Sequence, residues 1–335
     1  MLLSRLRFGR GSLWKMGLGL ILGLALCVWL ARDVPLGEVW TGLANVQPVW
    51  VGLAFLSIVV NTVGKMVRWR GLFPGLHRPG IRSLASSLLI GQLANALLPA
   101  RLGDVLRAHV LGMEQETSRA LALGTIAVEK AFDIMGLLAC AGLTVAWTGL
   151  PAWLYVPLIV LAGAGSAIIG LALLRPESAP LAWTERWLAS RSWRVGAWLA
   201  ARSRALLAGL AAMRQPWRVI ETLSWSAVIW ASAAATNYLV FLAFGLHLSV
   251  GAALLLLVSL TVGVVPPSSP AKLGVFHSIV VFALTAFGVE RSSGLAYAVG
   301  LHFLVYAPQI VPGAILLAWG LPRASAPAVR WQERP

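Results

Sequence analysis

The sequence has few charged residues. Only 12% of its 335 residues are charged and 59% are hydrophobic, whereas an ordinary soluble domain is charged at about a quarter of its positions. A water-soluble fold of this size would have too little polar surface to cover itself. The alternating pattern of membrane-spanning β-strands is missing as well. These shortages exclude an ordinary soluble enzyme or binding domain.

Cysteine is nearly absent, with 2 residues in the chain. Cys27 and Cys140 both lie inside apolar segments, which excludes a disulfide framework and a Cys/His metal spacing. The sequence also lacks a nucleophile elbow, a P-loop and a metal-binding pair of aspartates. We therefore expect neither a metal nor another cofactor, and we assign no catalytic residue.

Long apolar runs are what the sequence has instead. A helix needs about 20 such residues to cross a hydrocarbon layer, because its backbone polar groups must be satisfied within the segment. The apolar segments are 16–31, 48–67, 83–98, 120–147, 151–174, 219–245, 251–265, 273–289 and 295–320, and tryptophan flanks many of their ends. The predicted fold class is therefore all-α, a polytopic integral membrane protein.

The basic residues predict the orientation. A formal charge of +15 is compatible with nucleic-acid binding, but the Lys and Arg residues lie in short stretches between the apolar segments. Most of the 27 fall in 1–15, 65–82, 101–119, 175–218 and the C-terminal tail, whereas 32–46, 148–152 and 246–250 have few or none. By the positive-inside rule the first group is cytoplasmic and the second forms outer turns. We expect a cell inner (cytoplasmic) membrane, cytoplasmic termini and no nucleic-acid partner.

This orientation conflicts with a full crossing by every apolar segment. Segment 83–98 begins and ends on the cytoplasmic side, so we expect it to enter and return. The pair 251–265 and 273–289 begins and ends outside, as a broken hairpin or as two tilted crossings. We predict about six full transmembrane helices plus two re-entrant helical hairpins, in two halves of opposite orientation. Secondary transporters use such inverted repeats to build a site at the midplane.

We expect a single membrane domain over 1–335. Its expected parts are an uncleaved N-terminal anchor helix (1–31), a first half (47–147), a spanning helix with a basic amphipathic interfacial helix (151–218), a second half (219–320) and a cytoplasmic tail (321–335). Arginines alternate with Trp and Leu in 180–217, which is typical of a helix lying in the membrane surface. That helix is either a linker held by headgroups, or a gate or a sensor of anionic lipids.

The first polar motif follows segment 83–98. A proline and a glycine break the helix there, and Asn95 is placed to cap backbone groups that the break leaves without partners. Arg101, Asp104 and Arg107 are spaced by three and share one helical face. Two guanidinium groups with one carboxylate suit a phosphate-bearing headgroup. A cytoplasmic loop whose charges pair with one another is the alternative.

The second motif places charges inside an apolar segment. Glu129, Lys130 and Asp133 lie within 120–147, where each charge costs about 2.5–3.5 kcal/mol to insert. Because of this cost, each of these charges is expected to have a partner of opposite charge. We expect Lys130 to reach Asp133, and one carboxylate to face Arg101 or Arg107. The motif is either a proton or headgroup site or a set of ion pairs that fastens two helices together.

The third motif is a second break, from residue 266 to residue 277. Three prolines and a glycine prevent a continuous helix there, and irregular backbone at membrane depth is tolerated only where it lines protein or a watery cavity. Lys272 and His277 are candidates for contacting an anion or carrying a proton. His302 and Tyr306 on the last apolar segment are weaker candidates, because a single histidine on an apolar helix is more often only hydrogen-bonded.

These motifs in this order resemble a known family. They are similar to the membrane domain of lysylphosphatidylglycerol synthases, also called flippase-like proteins. The matching motifs are the run from Asn95 to Arg107, the run Val128-Glu129-Lys130 with Asp133, and a Pro-Ser-x-Pro-x-x-Leu-Gly-Val-Phe break. The likeness covers nearly the whole chain. It implies movement of lipids between leaflets. It also implies headgroup contacts by Arg101, Asp104, Arg107, Glu129 and Asp133.

The chain departs from the family pattern at the third motif. The family reads Pro-Gly-Gly-Leu-Gly-x-x-Glu, whereas this sequence has Ala271 and Lys272 in place of the two glycines and His277 in place of the acid. The sequence also contains no segment for the soluble aminoacyl-transferring domain of full synthases. We therefore expect no lysyl transfer.

The leading hypothesis is flippase-like lipid translocation across the cytoplasmic membrane. A phosphate-bearing headgroup, from an anionic phospholipid or a polyprenyl-phosphate-type lipid, would bind between the two hairpins. The predicted binding residues are Asn95, Arg101, Asp104, Arg107, Glu129, Asp133, Lys272 and His277. The alternatives are a non-catalytic accessory subunit for a lipid-modifying or glycosyl-transferring enzyme, and a membrane transferase with Glu129 or Asp133 as its base.

Overall fold

The computed structural model describes a helical chain. It covers residues 21, 25–26, 28–30, 32, 34–73, 78–98, 102–115, 117–173, 215–265 and 270–320. The helices are α1 Leu36–Ala44, α2 Pro48–Gly71, α3 Ile81–Leu97, α4 Leu102–Glu114, α5 Arg119–Trp147, α6 Tyr155–Leu173, α7 Pro216–Ala243, α8 Val250–Gly263, α9 Val275–Thr285 and α10 Arg291–Ala318. Short 3₁₀ turns at Ala152–Leu154 and Pro270–Lys272 complete the described elements, which include no strand.

Four helical segments are long and apolar enough to cross a membrane: Pro48–Gly71, Ala152–Gly170, Pro216–Ala243 and Arg291–Ala318. With 29 residues, α5 is also long enough, since the rise of 1.5 Å per residue gives it a length of about 43 Å. The predicted all-α, multi-pass membrane fold is confirmed. The expected anchor 1–31, most of the basic segment 180–217 and the tail 321–335 lie largely or wholly outside the described residues.

One element differs from the sequence prediction. The stretch 32–46 was expected to be an outer turn, but it contains the nine-residue helix α1, Leu36–Ala44. Extended backbone at Pro35 precedes the helix, and Glu38 lies in its first turn, where a negative charge is favoured by the helix dipole. At nine residues α1 is about 14 Å long and too short to cross a membrane.

The two long helices α2 and α7 pack along each other. Polar groups join them inside the apolar surroundings: Ser57 Oγ lies 2.6 Å from Thr236 Oγ1, and Asn61 Nδ2 donates to the Ile229 carbonyl oxygen at 2.6 Å. Gly64 allows the close approach, because a Cβ there would lie 3.1 Å from the Ile229 side chain. Small residues and interhelical hydrogen bonds hold helices together where water is absent.

The C-terminal end of α2 is capped from α7. Arg218 Nη1 donates to the carbonyl oxygens of Gly71, at 3.1 Å, and Phe73, at 2.6 Å. Carbonyls in the last turn of a helix have no partners within that helix and carry partial negative charge. Arg218 therefore fixes the end of α2, and with it the position of the last helical turns before Gly71.

The packing pattern repeats between the two halves. In the first half α3 packs on α4 and α4 on α5, and in the second α8 packs on α9 and α9 on α10. Across the halves, α3 packs on α10 and α8 packs on α5. If α2, α3, α4 and α5 are matched in order with α7, α8, α9 and α10, each of these contacts has an equivalent in the other half. The contact between α2 and α7 is then its own equivalent.

Both predicted helix breaks are present. The first lies between the end of α3 at Leu97 and the start of α4 at Leu102, although residues 99–101 are outside the described part. The second separates α8 from α9. Its 3₁₀ turn, Pro270–Lys272, packs against α3, so the second break lies next to the hairpin that α3 and α4 form.

Candidate functional site: a buried ion-pair network

Six charged side chains from three helices meet inside the protein. We call this group the ion-pair network. It consists of Arg68 from α2, Asp104 and Arg107 from α4, and Glu129, Lys130 and Asp133 from α5. The sequence places charges every three or four residues on α4 and α5, so each helix presents them on one side to the other helix.

Arg107 and Glu129 form the buried centre of the network. Arg107 Nη2 donates to Glu129 Oε1 at 3.0 Å, and the two residues are 3% and 4% exposed. Arg107 Nε also lies 3.6 Å from Asp104 Oδ1. The guanidinium carbon is 4.8 Å from the ring centroid of Trp69, a cation–π geometry. The expected pairing of one α5 carboxylate with Arg107 is therefore observed.

Arg68 connects α2 to α5 and to α7. Its Nη2 donates to Asp133 Oδ1 at 2.6 Å and lies 3.9 Å from Glu129 Oε1. Its Nη1 donates to Ser226 Oγ at 2.9 Å, and the residue is 1% exposed. A charge this deeply buried requires compensation. The two carboxylates of α5 supply it.

Lys130 contacts all three carboxylates of the network. Its Nζ lies 3.4 Å from Asp104 Oδ2, 3.8 Å from Asp133 Oδ2 and 3.9 Å from Glu129 Oε1. The side chains of Lys130 and Asp133 are both 30% exposed, unlike those of the central pair. The expected contact between Lys130 and Asp133 is present. The network is therefore accessible at one edge.

Asn95 joins α3 to the network. Its Nδ2 donates to Asp104 Oδ1 at 3.3 Å, so this nitrogen contacts a side chain and not the backbone that we expected it to cap. The approach depends on Gly103, because a Cβ there would overlap the carbonyl oxygen of Gly91 and lie 2.6 Å from Asn95 Oδ1. The absence of a side chain lets α3 and α4 cross at this point.

In the part of the chain that the structure describes, the network pairs three cations with three carboxylates, and it leaves several polar atoms without partners. Lys65 lies one turn before Arg68 on α2, on the side of the helix that carries Arg68. Several buried polar atoms have no hydrogen-bond partner among the described residues: Arg68 Nε, Asn95 Oδ1, Arg107 Nε and Glu129 Oε2. The two guanidinium nitrogens are donors that an anion with several oxygens, such as a phosphate group, would satisfy, whereas the two oxygens are acceptors that need a donor from the same ligand.

Lys272 and His277 belong to the second break, and Arg101 lies outside the described residues. Lys272 Nζ donates to the Val264 carbonyl oxygen at 2.6 Å, which covers the end of α8. His277 Nε2 lies 3.3 Å from His302 Nδ1, with Phe276 and Tyr306 packed against His302. The structure thus brings Asn95, Asp104, Arg107, Glu129 and Asp133 together, and places His277 in a separate histidine pair.

The histidine pair corresponds in position to the central ion pair. His277 and His302 join α9 to α10, as Arg107 and Glu129 join α4 to α5. His302 also lies at nearly the same height along α10 as Glu129 along α5. The acid that the family pattern has at residue 277 is therefore replaced by a group that pairs with a second imidazole.

Arg68 and Lys65 were not among the site residues predicted from the sequence. Both were counted among the basic residues 65–82 that flank a membrane helix on its cytoplasmic side. The predicted apolar segment 48–67 already included Lys65, and the structure extends α2 to Gly71, which places Arg68 inside the helix as well. Two features of the sequence pointed to them. Their spacing of three puts them on one helical face, and segment 120–147 has two carboxylates but a single lysine near its middle, so it needed a further cation.

Comparison with known proteins agrees with this architecture. The family model described as "Lysylphosphatidylglycerol synthase TM region" matches residues 16–313. A curated relative, "Glycosyltransferase AglD" of Haloferax volcanii, is 27% identical over 125 residues, which are 37% of this chain and 20% of that protein. The chain thus matches only a fifth of that relative's own length. Because the family model extends over most of the sequence, the chain belongs to the lysylphosphatidylglycerol synthase transmembrane-region family.

Proposed function

We propose that this protein moves a phosphate-bearing lipid between the leaflets of the cytoplasmic membrane, and that the ion-pair network binds the headgroup. One observation carries the proposal: Arg68, Arg107 and Glu129 are almost fully buried between membrane helices, yet each keeps a polar atom without a hydrogen-bond partner among the described residues. Charged groups at this depth are costly to retain and are commonly functional.

The chemistry of the network favours a phosphate as the bound group. Arginine guanidinium groups match phosphate oxygens with two parallel hydrogen bonds, and Arg68 and Arg107 both face the space around Glu129 Oε1. Arg101 precedes α4 directly and is a further proposed contact. We infer that the lipid is an anionic phospholipid or a polyprenyl-phosphate-type lipid, with Asn95 and Asp104 orienting the headgroup.

The accessible edge gives the headgroup a route into the network. Lys130 and Asp133 are partly exposed while Arg107 and Glu129 are buried, so an incoming phosphate would meet Lys130 first. It would then replace carboxylates as the partner of Arg107 and Arg68. Exchange of one anion for another keeps the buried cations compensated, and this avoids the cost of about 3–5 kcal/mol that an unpaired buried charge carries.

The two hairpins, α3–α4 and α8–α9, are proposed to be re-entrant and to enter from opposite sides. The repeated packing pattern of the halves, 47–147 and 219–320, supports an inverted repeat. Lys272 and His277 would then line the second hairpin near the lipid path, and the histidine pair would accept or release protons during transport. Both termini are proposed to be cytoplasmic. Rocking of one half against the other is the usual motion of such repeats.

Leaflet exchange in proteoliposomes tests the proposal. The full chain is reconstituted with phosphatidylglycerol labelled on its headgroup by a dye that an impermeant reductant bleaches from outside. Exchange makes the inner-leaflet dye accessible, so the parent protein is expected to allow nearly complete bleaching. Arg68→Gln combined with Arg107→Gln is expected to reduce the exchange rate to that of empty vesicles.

Arg70→Gln is the matched control. Arg70 lies on the same end of α2, but its Nε donates to the Pro79 carbonyl oxygen at 3.3 Å and not to a network carboxylate. This variant should exchange lipid at the parent rate. Parent-like exchange by the folded double variant, judged by its elution and thermal unfolding, would refute the proposed role of the network.

A second candidate is a membrane accessory subunit for a glycosyl-transferring enzyme. The 125-residue similarity to a protein named as a glycosyltransferase favours this candidate. A subunit of this kind would hold the lipid substrate of a partner enzyme. Absence of exchange by the purified chain, together with co-purification of a glycosyl-transferring partner whose activity falls in the Arg107→Gln variant, would support the accessory role.

A further inference from the structure

A cavity of about 500 Å³ opens beside the second hairpin, away from the ion-pair network. Side chains of α8 and α9 form much of its wall, including Leu255, Ile279 and Phe282, and the remainder includes Trp29, Trp153 and Arg291. Its volume falls in the range of about 300–1,000 Å³ that is usual for small-molecule sites. Its lining is mostly apolar.

We propose that this cavity binds one acyl chain of an outer-leaflet anionic phospholipid, whose phosphate contacts Arg291. The proposal extends the function proposed above by naming a second lipid site on the other side of the membrane. The proposal rests on the function proposed above only where it gives this site a part in lipid transport. Occupancy of the cavity is measured without transport, so either proposal can fail alone.

The location of the cavity favours a lipid over water or a soluble ligand. The wall residues outside the hairpin are Trp29, Leu30, Pro151, Trp153 and Arg291. All of them come from parts of the chain predicted to lie at the outer surface. The α8–α9 hairpin itself is predicted to enter from that side. An apolar cavity does not hold water stably, and a cavity that is open within the hydrocarbon layer is filled by the nearest acyl chain.

The rim of the cavity carries the groups that a phospholipid headgroup requires. Arg291 is exposed and is the first residue of α10, so the positive end of the helix dipole adds to its charge. Trp29 and Trp153, at 64% and 40% exposed, are residues typical of headgroup depth. A phosphate at this position would have a cation above the apolar cavity that receives its chain.

A polar group inside the cavity supports a ligand with an ester. Ser278 lines the cavity, and its Oγ is buried without a hydrogen-bond partner among the described residues. A buried hydroxyl without a partner is unfavourable. The hydroxyl would be satisfied by an oxygen atom of the lipid backbone, which an aliphatic hydrocarbon could not supply.

Photocrosslinking of lipids to the full chain in nanodiscs tests the site. The bilayer is phosphatidylcholine with a small fraction of phosphatidylglycerol that carries a diazirine on one acyl chain, and the labelled peptides are mapped by mass spectrometry. Labelling is expected to concentrate on residues 278–286. Phosphatidylcholine also has a phosphate, but its choline cation cancels the negative charge. The same diazirine on phosphatidylcholine should therefore label these residues about fivefold less, the factor that corresponds to ~1 kcal/mol of attraction between Arg291 and one net negative charge.

Variants separate the chain contact from the headgroup contact. Ser278→Phe fills the cavity, and Thr285→Trp narrows it at an exposed position that tolerates a larger side chain. Both should reduce labelling by phosphatidylglycerol at least about fivefold. Arg291→Gln should lower phosphatidylglycerol labelling to the phosphatidylcholine level. Arg82→Gln, an exposed arginine in the first turn of α3 on the predicted cytoplasmic side, should change nothing.

Two results would overturn the proposal. Labelling spread evenly over the lipid-facing helices, and unaffected by Thr285→Trp, would show that the cavity holds no acyl chain. Equal labelling by the two lipids in the parent and in folded Arg291→Gln would show that Arg291 does not recognise an anionic headgroup. Loss of lipid exchange with preserved labelling would contradict only the proposed transport function.

Discussion

At the scale of the residue, Arg68 links three helices, α2, α5 and α7. It contacts Asp133 and Glu129 on α5 and Ser226 on α7 from its own position on α2. Removing one partner of a buried ion pair costs more than the pair contributes, because the remaining charge stays in a medium of low polarity. The stability of the fold around the site should therefore depend strongly on this side chain.

We expect Arg68→Met to reduce the free energy of unfolding by about 3–5 kcal/mol, because Asp133 loses its 2.6 Å partner. Thermal unfolding in detergent measures the change, with Arg70→Met as the matched control. Adding Asp133→Leu should recover part of the loss, since contacting residues are not additive. An Arg68→Met protein that unfolds at the parent temperature would contradict the buried pairing.

At the scale of the element, the two helical hairpins depend on different backbone features. The first needs a close crossing of α3 and α4 at Gly103, where a Cβ would meet Gly91 and Asn95. The second needs a tight turn between α8 and α9, where Ala271, Lys272 and Gly274 have φ values of 53°, 60° and 80°. Only the last of these positions has a glycine, the residue that adopts such values without strain.

Gly103→Ala is expected to destabilise the protein by about 1–3 kcal/mol, because the added methyl group overpacks the α3–α4 crossing. Gly142→Ala on α5 is the control: its added Cβ meets nothing within 4 Å, so the better helix former should leave stability equal or higher. Chemical denaturation of both variants measures the difference. Equal stability of the two variants would mean that the helices do not cross closely at Gly103.

Ala271→Gly is expected to stabilise the protein by about 1 kcal/mol, because glycine adopts the left-handed backbone of this turn without the cost that a Cβ imposes. It also restores the residue of the family pattern. Ala164→Gly, at an exposed position on α6, should instead destabilise by about 1 kcal/mol. A lower unfolding temperature for Ala271→Gly would show that the turn is not left-handed at this residue.

At the scale of the whole molecule, the main question is how the two halves are oriented in the membrane. The α3–α4 and α8–α9 hairpins pack in equivalent ways against the opposite half. If the halves are inverted, the ends of the first hairpin face the cytoplasm and the ends of the second face outward. The transport proposal requires this arrangement, because a midplane site must be reachable from both leaflets.

Single cysteines in a background without native cysteines test this orientation. Arg78→Cys and Thr117→Cys flank the first hairpin, and His247→Cys and Glu290→Cys flank the second. A membrane-impermeant thiol reagent added to intact cells is expected to label only the second pair, and the first pair should react after the cells are opened. Labelling of Arg78→Cys and Thr117→Cys from opposite sides would contradict a hairpin that returns to its side of entry.

Much of the architecture was already apparent from the amino-acid pattern. Apolar runs, prolines and glycines located the long helices and both breaks to within a few residues, because spanning length and helix breaking are local properties. The sequence also predicted that one carboxylate of α5 faces Arg101 or Arg107, since a charge in an apolar helix needs a partner, and the structure shows that the pair is Glu129 with Arg107. The roles of the predicted site residues remain predictions.

Packing determined the rest. Arg68 entered the network because α2 continues to Gly71 and is held there by Arg218 of α7, a contact between residues that are far apart in the chain. Asn95 binds Asp104 because two glycines let α3 and α4 touch. The cavity beside the second hairpin exists because α8, α9, the start of α10 and the residues at 29–30, 151 and 153 leave space between them. Such features depend on the distances between helices, which periodicity and composition do not specify.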